Sequence, residues 1–256
     1  MSIPGLLLSA AISFFILFCI FRPLELAFPA KRDQKFFRPD WYTDLCFFLG
    51  QYLLWAGIVT WLLSKLTSVT SMEWLAPMQN VIASQPWWLQ AVEVLFISDL
   101  LIYWGHRMQH KIPLLWKFHS IHHSAKHMDW LAAHREHPLD TIYTMGIVNL
   151  PALLLGFPLE TIAALISFRG IWAIYIHSNV RLPLGPIKWI IGSPELHHWH
   201  HDKDKFAGNY ANVSPLMDII FGTYSCPPHE PDSFGIHEPI KQNYLSQLAH
   251  PFRRTK

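Results

Sequence analysis

Three groups of histidines at helical spacing constrain this chain more than any other feature. His106 and His110 are four residues apart, and two H-x-x-H-H groups follow at 119–123 and 197–201. Residues i, i+3 and i+4 lie on one side of an α-helix, so each group can direct its imidazoles toward one place. The positions concerned are His106, His110, His119, His122, His123, His197, His200 and His201. Because one ion takes only four to six ligands, these imidazoles predict two metal ions.

The composition indicates a membrane protein. Hydrophobic residues make up 51% of the 256 residues and charged residues only 15%, against roughly 25% in ordinary soluble domains. A net charge of +2 without an aromatic-interleaved basic run argues against nucleic acid as a partner. Cys19, Cys46 and Cys226 are far apart and odd in number, so they predict neither a disulfide framework nor a cysteine metal site.

Apolar runs predict four or five membrane-spanning helices. The runs are Ile3–Ile20, Thr43–Leu63, Trp87–Trp104, Thr141–Leu155 and Thr161–Ile176. The last two are short and joined by a turn-like Gly-Phe-Pro link, so they form either two full spans or a re-entrant hairpin. A cleaved signal peptide is the alternative for the first run, but basic residues follow that run instead of preceding it.

The distribution of lysine and arginine orients these spans. Residues 31–38 carry four Lys or Arg residues, whereas the loop Thr67–Pro86 carries none. By the positive-inside rule, the first of these loops is cytoplasmic and the second lies outside. Charge bias alone then places all three histidine groups, together with His137 and His177, on the cytoplasmic face.

The sequence around the histidines resembles a known family. Besides the three groups it contains D-x-x-x-Y-W-x-H-R-x-x-H from Asp99, H-P-L-D from His137, H-S-N from His177 and F-G-T-Y from Phe221. This arrangement is similar to the fatty acid hydroxylase/sterol desaturase superfamily of integral-membrane di-iron oxygenases. The resemblance covers roughly Val92–Gly235 and leaves the first ninety or so residues unspecific.

The resemblance, together with the apolar runs, implies a fold. We expect an all-α membrane bundle of four to five spans that carries a cytoplasmic histidine-rich cap. The chain is then one domain, with an N-terminal membrane anchor region at residues 1–90, a catalytic histidine-motif region at 91–235 and a C-terminal tail at 236–256.

The resemblance also implies a reaction. Two iron ions held by histidines would use O₂ to hydroxylate or desaturate a C–H bond of a lipid, such as a fatty acyl chain or a sterol. The chain has no H-P-G-G haem module and no G-x-G-x-x-G fingerprint, so the electrons must come from a separate reductase or small redox carrier. The run W-L-A-A-H-R-x-H-P-L-D is similar to bacterial members and favours a bacterial inner membrane; in a eukaryote the endoplasmic reticulum is expected.

Further residues are candidates for the site. His137 and His177 match family positions at which a predicted span meets the cytoplasm, and we expect both to be metal ligands; a structural role at a helix end is the alternative. Asp99 is the expected active-site carboxylate, which orients His106 through Tyr103 or water. An ionisable residue within a span is costly unless its charge is paired. Arg169 lies at matching depth in another span, so we expect Asp99 and Arg169 to pair.

Three other functions have to be weighed against the oxygenase. Imidazole also suits zinc, so a zinc-dependent membrane hydrolase or a metal-binding transport protein fits the ligand type. A haem protein would have no use for adjacent H-x-x-H-H groups, and a transporter would place its ligands within the spans. His198 lies inside the third group but outside its spacing, and it is either a ligand or a neighbour of one.

Overall fold

The computed structural model describes residues 3–55, 57–58, 61–62, 64–65, 73–204 and 208–253. The named elements in these residues are all helical, which confirms the predicted all-α class. The α-helices are α1 (Ile3–Ala27), α2 (Trp41–Gly50), α3 (Ala76–Ser84), α4 (Trp87–Lys111), α5 (Pro113–His123), α6 (Pro138–Leu155), α7 (Leu159–His177), α8 (Pro194–His200), α9 (Leu216–Ile220) and α10 (Tyr244–Ala249).

Three of these helices have the length and apolar composition needed to cross a membrane. Among the described residues they are α1, α4 and α6. Helix α7 is 19 residues long but carries Glu160 and Arg169. A total of four or five spans therefore remains a prediction.

The region of the second predicted span is only partly described. Helix α2 continues as a π-helical turn at Gln51–Trp55, and several residues of the run Thr43–Leu63 lie outside the described residues. The predicted outer loop Thr67–Pro86 is described from residue 73 onward, where it contains α3. Helix α3 lies against the end of α6, because Gln79 Nε2 donates to the Leu154 carbonyl at 3.1 Å.

Proline positions separate the histidine groups into different helices. Helix α4 ends at Lys111, Ile112 is extended, and α5 begins with Pro113 at its first position, where the missing N–H carries no penalty. A bend therefore separates His110 from His119. Helix α8 begins in the same way at Pro194 and carries the third group, as the sequence predicts.

Helix α4 organises the packing around the site. It packs against α5, α6 and α7, and Val94 on α4 shares one buried cluster with Leu153 of α6 and Leu165 of α7. The first two histidine groups are thereby held at the ends of helices whose apolar sides are already fixed.

A second core joins the N-terminal helices to the loop that precedes α6. Phe14 of α1 contacts the rings of Phe48 and Trp130 at centroid distances of 5.5 and 5.1 Å. Beside it lies a buried ion network that links α2 to the same loop. Arg38 donates to Asp129 at 2.6 and 2.7 Å and lies 2.7 Å from Asp44; Arg135 Nε donates to Asp44 at 2.5 Å. Arg38 and Asp44 therefore hold the side chains of Asp129 and Arg135 in this loop.

Candidate metal centre

Nine histidines converge in two adjacent groups at one end of the bundle. Within each group, every member offers a ring nitrogen within 4.8 Å of the others. We call these the five-histidine group (His106, His110, His119, His123 and His200) and the four-histidine group (His122, His177, His197 and His201). The eight histidines singled out by spacing are all included, and His177 joins them.

Each H-x-x-H-H motif is divided between the two groups. On α5, His119 and His123 belong to the five-histidine group and His122 to the other. On α8 the assignment is reversed: His197 lies in the four-histidine group and His200 in the five-histidine group. Successive residues of a helix are rotated by about 100°, so the i+3 and i+4 side chains of one motif diverge toward different ions. The expectation that each motif points at one place is corrected in this respect.

Backbone carbonyls fix the tautomer of several of these imidazoles. Nδ1 of His106 donates to the Tyr210 carbonyl at 2.9 Å, and Nδ1 of His122 donates to the Arg135 carbonyl at 3.1 Å. His177 donates in the same way to Ala173 at 2.6 Å. Because a carbonyl oxygen only accepts, the proton must sit on Nδ1, and the lone pair of Nε2 points into the group.

The same pattern holds for two more ligands. His200 Nδ1 donates to the Gly208 carbonyl at 2.6 Å. His119 Nδ1 faces Asp140 Oδ2 at 2.8 Å, and Gln109 Nε2 holds the other oxygen of that carboxylate at 2.6 Å. A carboxylate behind a histidine raises the basicity of the ligand and fixes the orientation of its ring.

The facing Nε2 atoms are spaced as two ligands of one cation would be. Nε2 of His106 and Nε2 of His119 are 3.1 Å apart, and those of His122 and His177 are 2.9 Å apart. Since all four rings carry their proton on Nδ1, two lone pairs face each other in each pair with no hydrogen to bridge them. Two nitrogens bound side by side to an octahedral ion at ~2.1 Å are themselves about 3.0 Å apart. The arrangement therefore fits metal ions bound by Nε2.

Burial keeps these imidazoles neutral, which is the form that binds metals. It lowers the pKa of His119 to about 3. Burial, with the neighbouring imidazoles of His177 and His200, holds the pKa of His197 well below its ordinary value. The positive charge that these facing nitrogens can accommodate is therefore that of a bound metal ion, because the buried imidazoles take up protons only at low pH.

The two groups are immediate neighbours. The rings of His123 and His201, one from each group, are stacked with a centroid distance of 4.3 Å and an interplanar angle of 18°. His122 also lies 4.7 Å, centroid to centroid, from His201 within its own group. Two ions held here would share one pocket.

His137 and His198 lie outside both groups. His137 caps α6: its Nδ1 accepts the Leu139 N–H at 3.1 Å, and its Nε2 donates to the Leu248 carbonyl at 3.2 Å. This is the helix-end role considered as the alternative to a ligand. His198 Nδ1 lies 2.6 Å from a carboxylate oxygen of Glu230, and its Nε2 lies 3.1 Å from the Ser178 carbonyl oxygen. Both nitrogens of each ring are thus used elsewhere.

Asp99 contacts the backbone of a loop and makes no hydrogen bond to His106. Its two oxygens accept the N–H groups of Val213 and Ser214 at 3.0 and 3.1 Å. Arg169 Nη2 lies 3.8 Å from Asp99 Oδ1, so the expected pairing of the two charges is present. The expected link through Tyr103 is not, because that hydroxyl instead bonds to Thr223 at 3.1 Å.

The loop that Asp99 holds, residues 208–214, supplies two of the carbonyls that orient metal-ligating histidines. We call it the orienting loop. Asp218 holds it from the other side, accepting the N–H groups of Tyr210 and Ala211 at 2.8 Å each. Asp99 therefore acts on His106 through the Tyr210 carbonyl of this loop. Sequence spacing did not single out Asp140 or Asp218; Asp140 stood in the H-P-L-D motif, which was a signal for it.

Comparison with known proteins agrees with this geometry. The fatty acid hydroxylase family model matches residues 91–223, more than half of the chain. The chain belongs to this family. An ornithine lipid hydroxylase of Rhizobium tropici is 34% identical over 175 residues, which cover 66% of this chain and 52% of that protein. Human alkylglycerol monooxygenase is 33% identical over 165 residues, 63% of this chain and 36% of that protein.

More distant relatives extend the range of lipid enzymes in this family. A very-long-chain aldehyde decarbonylase of Oryza sativa is 29% identical over 143 residues, which cover 54% of each chain. The matched region spans about half the length of the ornithine lipid hydroxylase and about a third of the length of the alkylglycerol monooxygenase. No solved structure matches the chain.

Proposed function

We propose that this protein is a membrane-bound, non-haem di-iron oxygenase that uses O₂ and external electrons to hydroxylate a C–H bond of a membrane lipid. The observation that carries the proposal is the pair of adjacent all-histidine groups, in which Nε2 lone pairs face each other about a cation's width apart, in a chain of the fatty acid hydroxylase family. Two of the relatives are named as a hydroxylase and a monooxygenase, which favours hydroxylation over desaturation.

The chain's own residues would hold and isolate the two ions. The five-histidine and four-histidine groups would each bind one iron, and when bound the irons supply the capacity to activate O₂. Nine imidazoles fill fewer positions than two octahedral ions offer, so positions remain for ligands from outside the protein. Carbonyls of the orienting loop and Asp140 keep the rings fixed.

The carboxylate nearest to the ligands argues against a zinc hydrolase. Zinc hydrolases of the H-E-x-x-H type place a free carboxylate beside the metal as the general base. Asp140 instead bonds to His119 and Gln109 through both of its oxygens. An orienting role for this carboxylate favours the oxygenase.

We propose that the substrate is an amphiphilic lipid whose alkyl or acyl chain reaches the metals from the bilayer. The ornithine lipid hydroxylase and the alkylglycerol monooxygenase are both named for lipids that combine a polar group with long chains. Three apolar helices and a site built at the end of one of them, α4, suit a substrate that stays in the membrane.

A polar cleft is the proposed docking place for the electron donor. It has a volume of about 870 Å³ and is lined by four Lys or Arg residues and three carboxylates, with Lys31, Lys126 and Lys203 among the basic ones. Its wall reaches the metal ligands directly, because the Gly235 N–H donates to the His201 carbonyl at 3.3 Å. The basic side chains in this cleft offer pairing partners for the carboxylates of an acidic redox carrier.

The proposal is tested by metal content and product together. Protein purified without oxygen, stripped of metal and reconstituted with Fe²⁺ should bind two ions per chain and, in bacterial membranes supplied with a reductant, produce lipids heavier by one oxygen. Protein reconstituted with Zn²⁺ should bind metal and leave the lipids unchanged. Oxygen-independent lipid cleavage by the zinc form would overturn the oxygenase and favour the hydrolase.

The proposed orientation has the active site in the cytoplasm, in the inner membrane if the source is a bacterium. In a background without the native cysteines, new cysteines at Lys35, Lys126 and Lys203 should react only with reagents applied from the cytoplasmic side. A cysteine at Ser71, which lies outside the described residues, should react only from outside. Labelling of position 126 from outside would place the site on the wrong face for cytoplasmic reductants.

A further inference from the structure

Two short segments of the cap expose an unusual amount of apolar surface. On α9 and the residue after it, Leu216, Ile219, Ile220 and Phe221 are all exposed, Ile220 to 58%. The 3₁₀ helix Gly185–Trp189 and the residue after it form the second segment, in which Ile190 is exposed to 69%. We call these two segments together the apolar lip.

The two segments form one surface. Ser214 Oγ, at the start of the turn into α9, donates to the Ile190 carbonyl at 2.6 Å. The ring of Trp189 stacks on Tyr224, just beyond α9, at a centroid distance of 4.7 Å. Single exposed apolar residues are common on proteins, but a contiguous patch of this kind marks an interaction site.

The apolar lip is continuous with the exposed side of a membrane-crossing helix. Phe221 contacts the rings of Tyr103 and Trp104 on α4, both at a centroid distance of 5.0 Å. Trp104 and Met108 are themselves exposed on the outer side of α4. The apolar surface of this span therefore continues onto α9 through the ring contacts of Phe221.

The depth of this contact can be read from α4. Arg107 lies near the end of the span, and its guanidinium carbon is 5.4 Å from the centroid of the Trp104 ring. A basic residue beside a tryptophan at a helix end is typical of the headgroup level of a bilayer. Trp104 lies three residues before Arg107, about 4.5 Å deeper at 1.5 Å per residue. Phe221 is packed at this depth.

We infer that the apolar lip is embedded in the bilayer, with Ile190, Leu216 and Ile220 in contact with lipid acyl chains. An amphipathic segment anchored in this way lies in the interface plane with its apolar side below the headgroups. A protein partner fits less well, because the patch continues a surface that lipid must already cover on α4.

The opposite side of α9 reaches the metal centre. Met217 and Asp218 are buried, and Asp218 holds the backbone of Tyr210. The Tyr210 ring lies 5.7 and 5.5 Å, centroid to centroid, from His106 and His110 of the five-histidine group. The lip therefore brings the acyl-chain region of the bilayer to one helix thickness from these ligands.

Site-directed spin labelling tests the lip without relying on activity. Nitroxides at Ile220→Cys and, separately, at Ile190→Cys would be introduced into protein lacking Cys19, Cys46 and Cys226, reconstituted in phosphatidylcholine liposomes. Their relaxation would be measured with oxygen, which partitions into lipid, and with a water-soluble nickel chelate. Both labels should be relaxed more by oxygen than by nickel. Because both side chains are exposed, the substitutions should leave folding intact, which unchanged metal content would verify.

Two reference positions calibrate the result. Phe15→Cys, on the exposed side of α1, should give the lipid signature, and Lys241→Cys, in the exposed C-terminal segment, should give the water signature. Stronger relaxation by nickel at positions 220 and 190 would place the lip in water and overturn the inference. Low accessibility to both reagents would also overturn it, since a protein surface would then cover the lip.

Discussion

Removal of either charge of the Asp99–Arg169 pair should destabilise the protein, and removal of both should cost less than the sum. The two side chains are 3.8 Å apart and almost fully buried, with 5% and 8% of their surface exposed. Breaking a buried pair on one side costs about 3–5 kcal/mol, because the other charge is left without its partner.

The surrounding hydrogen bonds determine which single variant loses more folding free energy. In Arg169→Met, Asp99 keeps the N–H groups of Val213 and Ser214, so we expect the lower end, about 3 kcal/mol. In Asp99→Asn, Arg169 keeps only its bond to Ser98, and the new amide NH₂ faces one of the two backbone N–H groups, so we expect about 5 kcal/mol. The double variant should recover about 1–3 kcal/mol of the summed loss.

Thermal unfolding in detergent measures the cycle. At about 2–4 °C per kcal/mol for a chain of this size, Arg169→Met should lower Tm by about 6–12 °C. Oxidation of lipid should stay low in the double variant even where stability recovers, because the orienting loop still lacks the carboxylate that holds it. Losses that add to within about 0.5 kcal/mol would refute the coupling of the two residues.

Further predictions concern the metal centre. His200→Ala should reduce bound metal and abolish oxidation, whereas His229→Ala, outside both groups, should change neither; full activity of His200→Ala would end the di-metal proposal. Asp140→Asn should weaken metal binding by about 10–100-fold, measured by chelator competition, because the amide loses the carboxylate charge and its NH₂ must face either His119 Nδ1 or Gln109 Nε2, both of which are donors; unchanged affinity would show that the carboxylate has no orienting role. The metal-free protein should lose stability as the pH falls below about 6.5, because unfolded histidines take up protons there while burial lowers the folded pKa of His119 to about 3. Bound metal should move this loss to lower pH in calorimetric scans, and a metal-free protein equally stable at pH 7 and 5 would contradict it.

The sequence was most informative where a local rule determines the structure. Helical spacing identified eight of the nine histidines in the two groups, and the family motif H-S-N identified His177. Pro113 required a break in the helix, and Pro194 marks the start of α8. Opposite charges at matching depth in two helices predicted the Asp99–Arg169 pair. Each of these inferences depends on residues close in sequence or on a cost that burial imposes.

Features that depend on the relative placement of helices could not be predicted. Helical rotation separates the side chains of His122 and His123, but the group that each of them joins depends on where α4, α7 and α8 lie around α5, which no spacing specifies. The carbonyls of Gly208 and Tyr210 carry no side-chain signature at all. His137 matches a family motif, yet the same motif places it at the start of α6, where its ring caps the helix and Asp140 faces His119 instead.

The division of each H-x-x-H-H motif has a consequence for how the centre can be dismantled. Neighbours in the chain, such as His122 and His123, would bind different ions. The histidines of each group come from three different helical segments. Helices α5 and α8 each supply ligands to both groups, so deleting or shifting either helix disturbs both sites together. Removing one H-x-x-H-H motif therefore cannot give a mononuclear derivative, whereas His106 and His110 both belong to the five-histidine group and could be removed without touching the other. To remove the four-histidine group instead, residues of α5, α7 and the α8 motif that serve that ion would have to be replaced while their immediate neighbours are kept.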